Sequence, residues 1–344
     1  VEFNPFPETK KPNDPALEPE GWLEHWASLD DNLFQKAIEE IQEIKDPLLQ
    51  REVHCLLHLR SLLKKEKRLC VIIEPLLCEG GDRYGTPRFY RALRVLTRAL
   101  DTPLIFDEVQ TGFGLGGELF WHQKFNLQTP EGKPDQPDVV ATAKKAQVAL
   151  VASTIPQDEI PLETSAASFY RGYLFAQKIM QLDKSELEEK IQNQLHILQD
   201  VLDEELVQNP RGQGLAFAFD LPNKEILMAL IENRYPSGMM FYPAGEKTAR
   251  FRVTASVTDR EIVHLFKALY LCFIAVSKAK KIWKIPLLDE WIRKQPSELQ
   301  AYAREDSEIP MELPWASQWI PKDQDSYKAL SMDTWKKWFA TLTN

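Results

Sequence analysis

Four short stretches carry side chains that could do chemistry together. The first is Glu74-Pro75-Leu-Leu-Cys-Glu79-Gly80-Gly81-Asp82. The second is Asp107-Glu108-Val109-Gln110-Thr111-Gly112-Phe113-Gly114, the third is the pair Lys144-Lys145 after Pro137-Asp138-Val-Val-Ala-Thr-Ala143, and the last is Arg250-Phe251-Arg252. A lysine amine that loses its proton readily can hold an aldehyde as an imine, and a second cation beside it, here Lys145, favours the neutral form. An aspartate such as Asp107 can hold a pyridine nitrogen protonated, so that the ring accepts the electrons of a carbanion. Gln110 offers a hydrogen-bonding amide three residues further on. These residue types are those of pyridoxal-phosphate (PLP) chemistry. Acids also cap strand ends, and paired lysines commonly face solvent, so spacing alone leaves both readings open.

The elements that must position these groups follow from periodicity. Cys70–Pro75, Pro103–Val109, Pro137–Ala141 and Val148–Ala152 are short apolar runs, the first two of them ending in acids or proline, as buried strands do. Pro87–Ala99 between the first two is helical. Strand, helix, strand predicts an α/β fold with a mostly parallel sheet, whose sites form at the carboxyl ends of the strands. Helices are predicted near Asn32–Ile44, Leu48–Lys64, Ala166–Leu182 and Lys184–Leu206. Pro210–Gly214 reads as a turn and Leu215–Leu221 as an alternating strand. Lys224–Asn233, Met239–Pro243, Thr248–Val253 and Asp259–Lys278 then complete an α+β module. The expected division is an N-terminal arm at 1–19, a large domain at 20–183, a small C-terminal domain at 184–280 and a tryptophan-rich extension at 281–344.

Ile-Ile-Glu-Pro, Glu-Gly-Gly-Asp, Asp-Glu-Val-Gln-Thr-Gly-Phe-Gly and Pro-Asp-Val-Val…Lys-Lys, in that order, resemble the class III, fold-type-I PLP aminotransferases. Within that class, Lys144-Lys-Ala-Gln-Val148, Pro210-Arg-Gly-Gln-Gly-Leu215 and Pro243-Ala-Gly…Arg250-Phe-Arg look most like the lysine 6-aminotransferases, with the 4-aminobutyrate aminotransferases next. The resemblance covers about residues 1 to 276. It implies that Lys144 is the Schiff-base lysine and proton shuttle, that Asp107 pairs with the ring nitrogen and that Gln110 touches the ring hydroxyl. Thr164 would reach the cofactor phosphate of a neighbouring subunit. Glu79 and Arg250 would form a switching pair, in which the glutamate covers the arginine while an ω-amine reacts and leaves when a 2-oxo acid binds. The implied activity is transfer of an ω-amino group from a lysine-like diamine or ω-amino acid to 2-oxoglutarate, in a homodimer or in a complex with an N-terminal aminotransferase-like chain.

The sequence also departs from the family. No Gly/Ser/Thr cluster of the kind that holds phosphate at a helix start precedes Glu74, so the family's N-terminal third is expected to come from a separate portion. Ala143 stands where glycine usually precedes the lysine. Ala149-Leu150-Val151, Ala166-Ala167 and Val253-Thr254 replace other glycines, small residues or prolines, and each lost glycine removes a place for close backbone approach. Besides the transaminase, these departures admit a catalytically inactive scaffold or partner-binding subunit, or another PLP reaction such as that of an aminomutase or racemase.

Bulk properties narrow the setting. Of 344 residues, 44% are apolar and 27% charged, as in ordinary globular chains. The net charge of -9, with Lys64, Lys65 and Lys67 as the densest basic cluster, argues against nucleic acid as a partner. The longest apolar run, Ala268–Val276, is too short for a bilayer. Val1–Pro15 has no signal-peptide pattern. Cys55, Cys70, Cys78 and Cys272 form no CxxC pair and read as free thiols, so a soluble, cytoplasmic protein is expected. His54 and His58 lack a third metal ligand nearby and read as surface or interface histidines. Trp283, Trp291, Trp315, Trp319, Trp335 and Trp338 suggest that the extension packs over its own domain or docks on a partner.

Overall fold

A computed structural model describes residues 6–156, 165–182, 185–235, 237–280 and 285–305, with backbone alone for 278–280. Three helices open the chain: α1 (Trp22–Ala27), α2 (Asp31–Gln42) and α3 (Pro47–Lys65). Their starts are written in the sequence. Asp30 accepts from the amides of Asn32 and Leu33, and Asp46 accepts from those of Leu48 and Leu49 ahead of Pro47, each cap worth about 1 kcal/mol. His54 and His58 lie on the exposed face of α3.

Next come β1 (Val71–Ile73), the hairpin β2 (Leu76–Leu77) and β3 (Arg83–Tyr84), α4 (Pro87–Ala99) and β4 (Leu104–Glu108). Then follow β5 (Val139–Thr142), β6 (Leu150–Ser153) and α5 (Ala166–Gln181). The first sheet has the order β1-β4-β5-β6. β1, β4 and β5 run parallel, and β6 returns antiparallel to β5. One face, with Leu104, Phe106 and Val140, is buried. Register places Ile72, Ile105 and Val139 side by side on the other face, next to Asp107, Ala141 and Val151. Ile72 and Val151 there are more than half exposed. Parallel sheets are ordinarily covered on both faces; among the described residues this one is covered on one.

The second module holds α6 (Ser185–Leu202), β7 (Gln208–Gln213), β8 (Ala216–Asp220), α7 (Lys224–Asn233), β9 (Tyr242–Ala244), β10 (Thr248–Arg252) and α8 (Asp259–Lys280), followed by α9 (Leu288–Lys294) and α10 (Gln300–Arg304). Its sheet is antiparallel, in the order β7-β8-β10-β9. Here the expectations need correction. Residues 208–213, read as a turn around Pro210, form strand β7 with a bulge between Gln208 and Arg211, so the turn is confined to Gly214–Leu215. β9 begins later than its apolar run, at Tyr242. The helix expected to reach Leu206 stops at Leu202. Every residue of β8 is buried, because Phe217 and Phe219 pack toward Phe266 and Phe273 while Ala216 and Ala218 face two arginines. Trp291 is fully buried and stacks at 6.1 Å on Tyr270 of α8, so that part of the extension packs on its own chain. The other five tryptophans of the extension lie outside the described residues. All four cysteines are free thiols. Among the described residues no helix is long and apolar enough to cross a membrane.

Candidate functional site

Asp107 is the last residue but one of β4 and pairs in register with Ala141 of β5, the neighbouring parallel strand. Three residues beyond Ala141, the backbone turns through a short 3-10 helix, Lys144–Ala146. Lys144 enters it at φ +51°, a conformation that costs a non-glycine residue about 1 kcal/mol or more. α5 holds this turn from below. Gly172 lets the helix approach so closely that a Cβ there would sit 2.6 Å from the Ala146 carbonyl oxygen, and Phe113 stacks on Phe175.

Behind the strand, Glu108 is fully buried and anchors the loop after β4. Its carboxylate accepts from the backbone amides of Trp121 and His122 at 2.7 and 2.9 Å, and pairs with His122 Nδ1 at 2.7 Å. The Glu108 carbonyl accepts from Thr142 Oγ1 at 3.1 Å, tying β5 to β4 just before the lysines. Alternation along β4 thus sends Glu108 inward and Asp107 to the open face.

The second sheet brings a cationic wall. Arg250 and Arg252 lie on one face of β10, opposite the small Ala218 and Ala216 of β8. Arg250 Nη2 donates to Glu79 Oε1 at 2.5 Å, and its Nη1 donates to Gln110 Oε1 at 3.1 Å. Arg252 grips Asp82 with two bonds of 2.7 and 2.6 Å, and its Nη2 lies 3.3 Å from the same Gln110 oxygen. The Glu79–Asp82 loop is pinned from the same side. Arg211 donates to the carbonyls of Gly81 and Asp82 at 2.6 and 2.9 Å, and Gly245 N donates to the Glu79 carbonyl. The predicted residues Glu79, Gln110 and Arg250 are therefore in direct contact, while Asp107 lies near the end of β4 and Lys144 in the turn that follows the adjacent β5. Thr164 lies outside the described residues.

Ionisation follows this layout. Burial raises the Glu79 carboxyl, but the bonds and charge of Arg250 outweigh it, with help from Gln110 and Lys144, and hold it below its ordinary value. Glu74, which accepts from Cys78 N, is raised first by burial, then by the charges of Asp107 and Glu79, against a smaller pull from Lys144. Lys145 points inward beside Arg252, and burial followed by that neighbouring charge lowers its amine to about 8. Sequence reasoning placed Glu74 and Asp82 in the first cluster without giving them a role, and did not single out Arg211; the two-residue spacing of Arg250 and Arg252 on a strand was the available signal for a shared face.

These groups fit part of a PLP site. Asp107 uses Oδ1 to accept from Val109 N, and its other oxygen is available for a ring N–H. The exposed Lys144 amine is available for a carbonyl. The phosphate is different. The helix end beside the strand end of β1 is that of α4, where Tyr90 bonds the Glu74 and Pro75 carbonyls, and it already holds an internal carboxylate. Thr86 Oγ1 and Arg88 Nε each donate to Glu52 at 2.6 Å. A cavity of about 560 Å³ lined by Lys67, Arg68, Leu69, Asp101 and Pro103 lies at the opposite, amino ends of β1 and β4, away from this chemistry.

A family model described as aminotransferase class-III matches residues 31–273. The L-lysine-epsilon aminotransferase of Mycobacterium tuberculosis is 35% identical over 209 residues, covering 56% of this chain and 45% of that protein. The 4-aminobutyrate aminotransferase of Dictyostelium discoideum is 31% identical over 194 residues, covering 53% of this chain and 38% of its own length. The crystal structure of the lysine aminotransferase from M. tuberculosis in the internal aldimine form superimposes with a TM-score of 0.55 at 28% identity, covering 68% of this chain and 56% of that one. The chain thus spans about half the length of the curated relatives it matches.

Proposed function

Because the chain belongs to the class III aminotransferases, we propose that it serves PLP-dependent transfer of an ω-amino group, from a lysine-like diamine or an ω-amino acid, to 2-oxoglutarate. The observation that carries this is the placement of Asp107 near the carboxyl end of β4 and of Lys144 in the turn just after the parallel β5, with Lys144 near enough to help lower the Glu79 carboxyl that Arg250 pairs. When bound, PLP supplies a carbonyl for an amine and a ring that accepts the electrons of a carbanion. Asp107 would hold the ring nitrogen, Gln110 the ring hydroxyl and Lys144 the carbonyl carbon, and the Lys144 amine would then move the substrate proton. Arg250 would fork the carboxylate of the 2-oxo acid once Glu79 leaves it. Thr164 is the proposed phosphate contact. A polypeptide equivalent to the part of the relatives that this chain does not match would provide the remaining phosphate grip, in a homodimer or a mixed complex in the cytoplasm. The proposed domain limits are 20–183 and 184–280.

A second reading, an inactive scaffold that binds a partner, is favoured by the apolar sheet face at Ile72 and Val151. One experiment separates the two. The full chain, alone and with a polypeptide covering the unmatched portion of a relative, is mixed with PLP, reduced with borohydride and mapped by mass spectrometry. Label at Lys144 that disappears in Lys144→Ala supports the transaminase. Absence of specific label under both conditions supports the scaffold.

A further inference from the structure

Arg252 is as well placed as Arg250, yet no role in the reaction has been given to it. It differs in one respect: its guanidinium is already taken. Both carboxylate oxygens of Asp82 accept from it, and Asp82 is fully buried at φ +48°. Asp82 in turn cannot drift, since its own carbonyl accepts from Arg211, which also bonds Gly81 and Asp220. Arg252 is therefore a fixed cation, whereas Arg250 pairs with a glutamate whose side chain is 71% exposed.

Gln110 lies between the two arginines. Its oxygen accepts from both, which turns its amide NH2 toward Glu79. With Arg250 alone, the amide orientation would depend on where Arg250 points, and Arg250 must turn when Glu79 leaves and a carboxylate arrives. With Arg252 held by Asp82, one donor to the Gln110 oxygen persists through that exchange. We propose that Asp82 and Arg252 are positioning residues that fix the orientation of the Gln110 amide independently of the Glu79–Arg250 pair. The proposal rests on the reading of Glu79, Gln110 and Arg250 given above, and it adds the fixed half of the arginine pair.

The test begins on the ligand-free full chain. The groups facing Glu79 are Arg250 from β10, Gln110 from the loop after β4, Lys144 from the turn after β5 and Glu74 from the loop after β1. Arg252 reaches Glu79 through Gln110, through the Asp82 end of the loop that carries Glu79, and by charge, so the test must separate the first route from the other two. Replacing Arg252 alone would leave a buried unpaired carboxylate, so the paired exchange D82N/R252M is used. It removes one charge of each sign, and asparagine tolerates the positive φ at position 82. The midpoint of the Glu79 carboxyl titration, followed by 13C NMR, is compared in the wild type, D82N/R252M, Q110A and the triple variant. D82N/R252M and Q110A are each expected to raise the midpoint, by about half a pH unit, because each removes an oriented donor to the carboxylate. The triple variant is expected to add nothing further. An unchanged midpoint in D82N/R252M, or an effect that simply adds to that of Q110A, overturns the proposal. In a second arm, the absorption band of the PLP-loaded protein should shift alike in D82N/R252M and Q110A, and should recover in D82N/R252K only if a cation at 252 suffices to orient the amide. If no PLP binds with or without the polypeptide covering the unmatched portion, the proposed function fails while the first arm still decides the positioning role.

Discussion

Arg94 of α4 has no exposed surface, yet it determines how β4 and β5 lie. Its Nη1 donates to Asp138 Oδ2 at 2.6 Å, and its Nη2 donates to Asp135 Oδ1 at 3.0 Å and Asp138 Oδ1 at 3.2 Å. Asp138 Oδ2 also accepts from Leu104 N, the first amide of β4, at 2.8 Å. One carboxylate thus joins helix α4 to the starts of the strands whose far ends carry Asp107 and Lys144. Removing one partner of a buried ion pair costs about 3–5 kcal/mol, because the other charge stays buried. Arg98 remains near both acids, with a 2.5 Å bond to Asp135 and a 3.4 Å contact to Asp138, but it is itself 56% exposed. We therefore expect Arg94→Leu to lose about 3 kcal/mol, the low end of that range. In urea unfolding followed by tryptophan fluorescence, with a slope of about 3 kcal/mol/M, the midpoint should fall by about 1 M. The deficit should narrow toward pH 4, since unpaired buried carboxylates bind protons more tightly in the folded chain than in the unfolded one, and protonation then relieves them. A midpoint shift below about 0.3 M at pH 7 would refute the view that this cluster sets the sheet.

Other outcomes follow from single contacts. Gly214→Ala should destabilise the chain by about 3 kcal/mol or more in the same assay, because at φ +60° the new Cβ would sit 2.5 Å from the Gly116 backbone; a loss under about 1 kcal/mol contradicts this. Gly112→Ala should perturb the lysine turn, since its Cβ would meet Thr142 Oγ1 at 2.5 Å, and unchanged amide chemical shifts at Ala143–Lys145 would count against it. Acylation of Lys145 by a water-soluble active ester should rise with a midpoint near pH 8, where its amine becomes neutral; a midpoint near that of exposed lysines, about 10.4, would mean that burial beside Arg252 does not act as described. On the proposed transaminase reading, Arg250→Ala should slow a 2-oxo-acid half-reaction more than an ω-amine half-reaction in single-turnover assays, and equal loss in both removes the switching role.

The elements of this protein were legible where local chemistry is strong. Pro87 behind Thr86 marks the start of α4, Asn223 that of α7, and the apolar runs at 71–73 and 104–108 mark β1 and β4, because caps and buried parallel strands need particular residues. β7 was not, since Asn209-Pro210 and two glycines imitate a turn, and only the pairing with β8 and the bulge at Gln208–Arg211 make it a strand. The short α1 was missed as well: its left-handed Gly21 cap and six residues carry little propensity, and Trp22 and Trp26 are held by packing against Phe34 and each other. At the site, Glu79 and Arg250 could be matched through motif order. The Asp82–Arg252 pair spans 170 residues of sequence, and no periodicity reports a contact across such a distance.

The loop from Glu79 to Asp82 has a consequence for how this scaffold can diversify. Its backbone carbonyls are held by Arg211, its first residue is met by Gly245, and Gly81 at φ +112° lies against Arg83 and Thr248. Adding or deleting a residue there would unseat three partners at once, whereas exchanging the exposed side chain at position 79 disturbs none of them. New substrate preferences on this frame should arise by substitution at a fixed length, so descendants with altered chemistry would differ in this loop's spelling and keep its size.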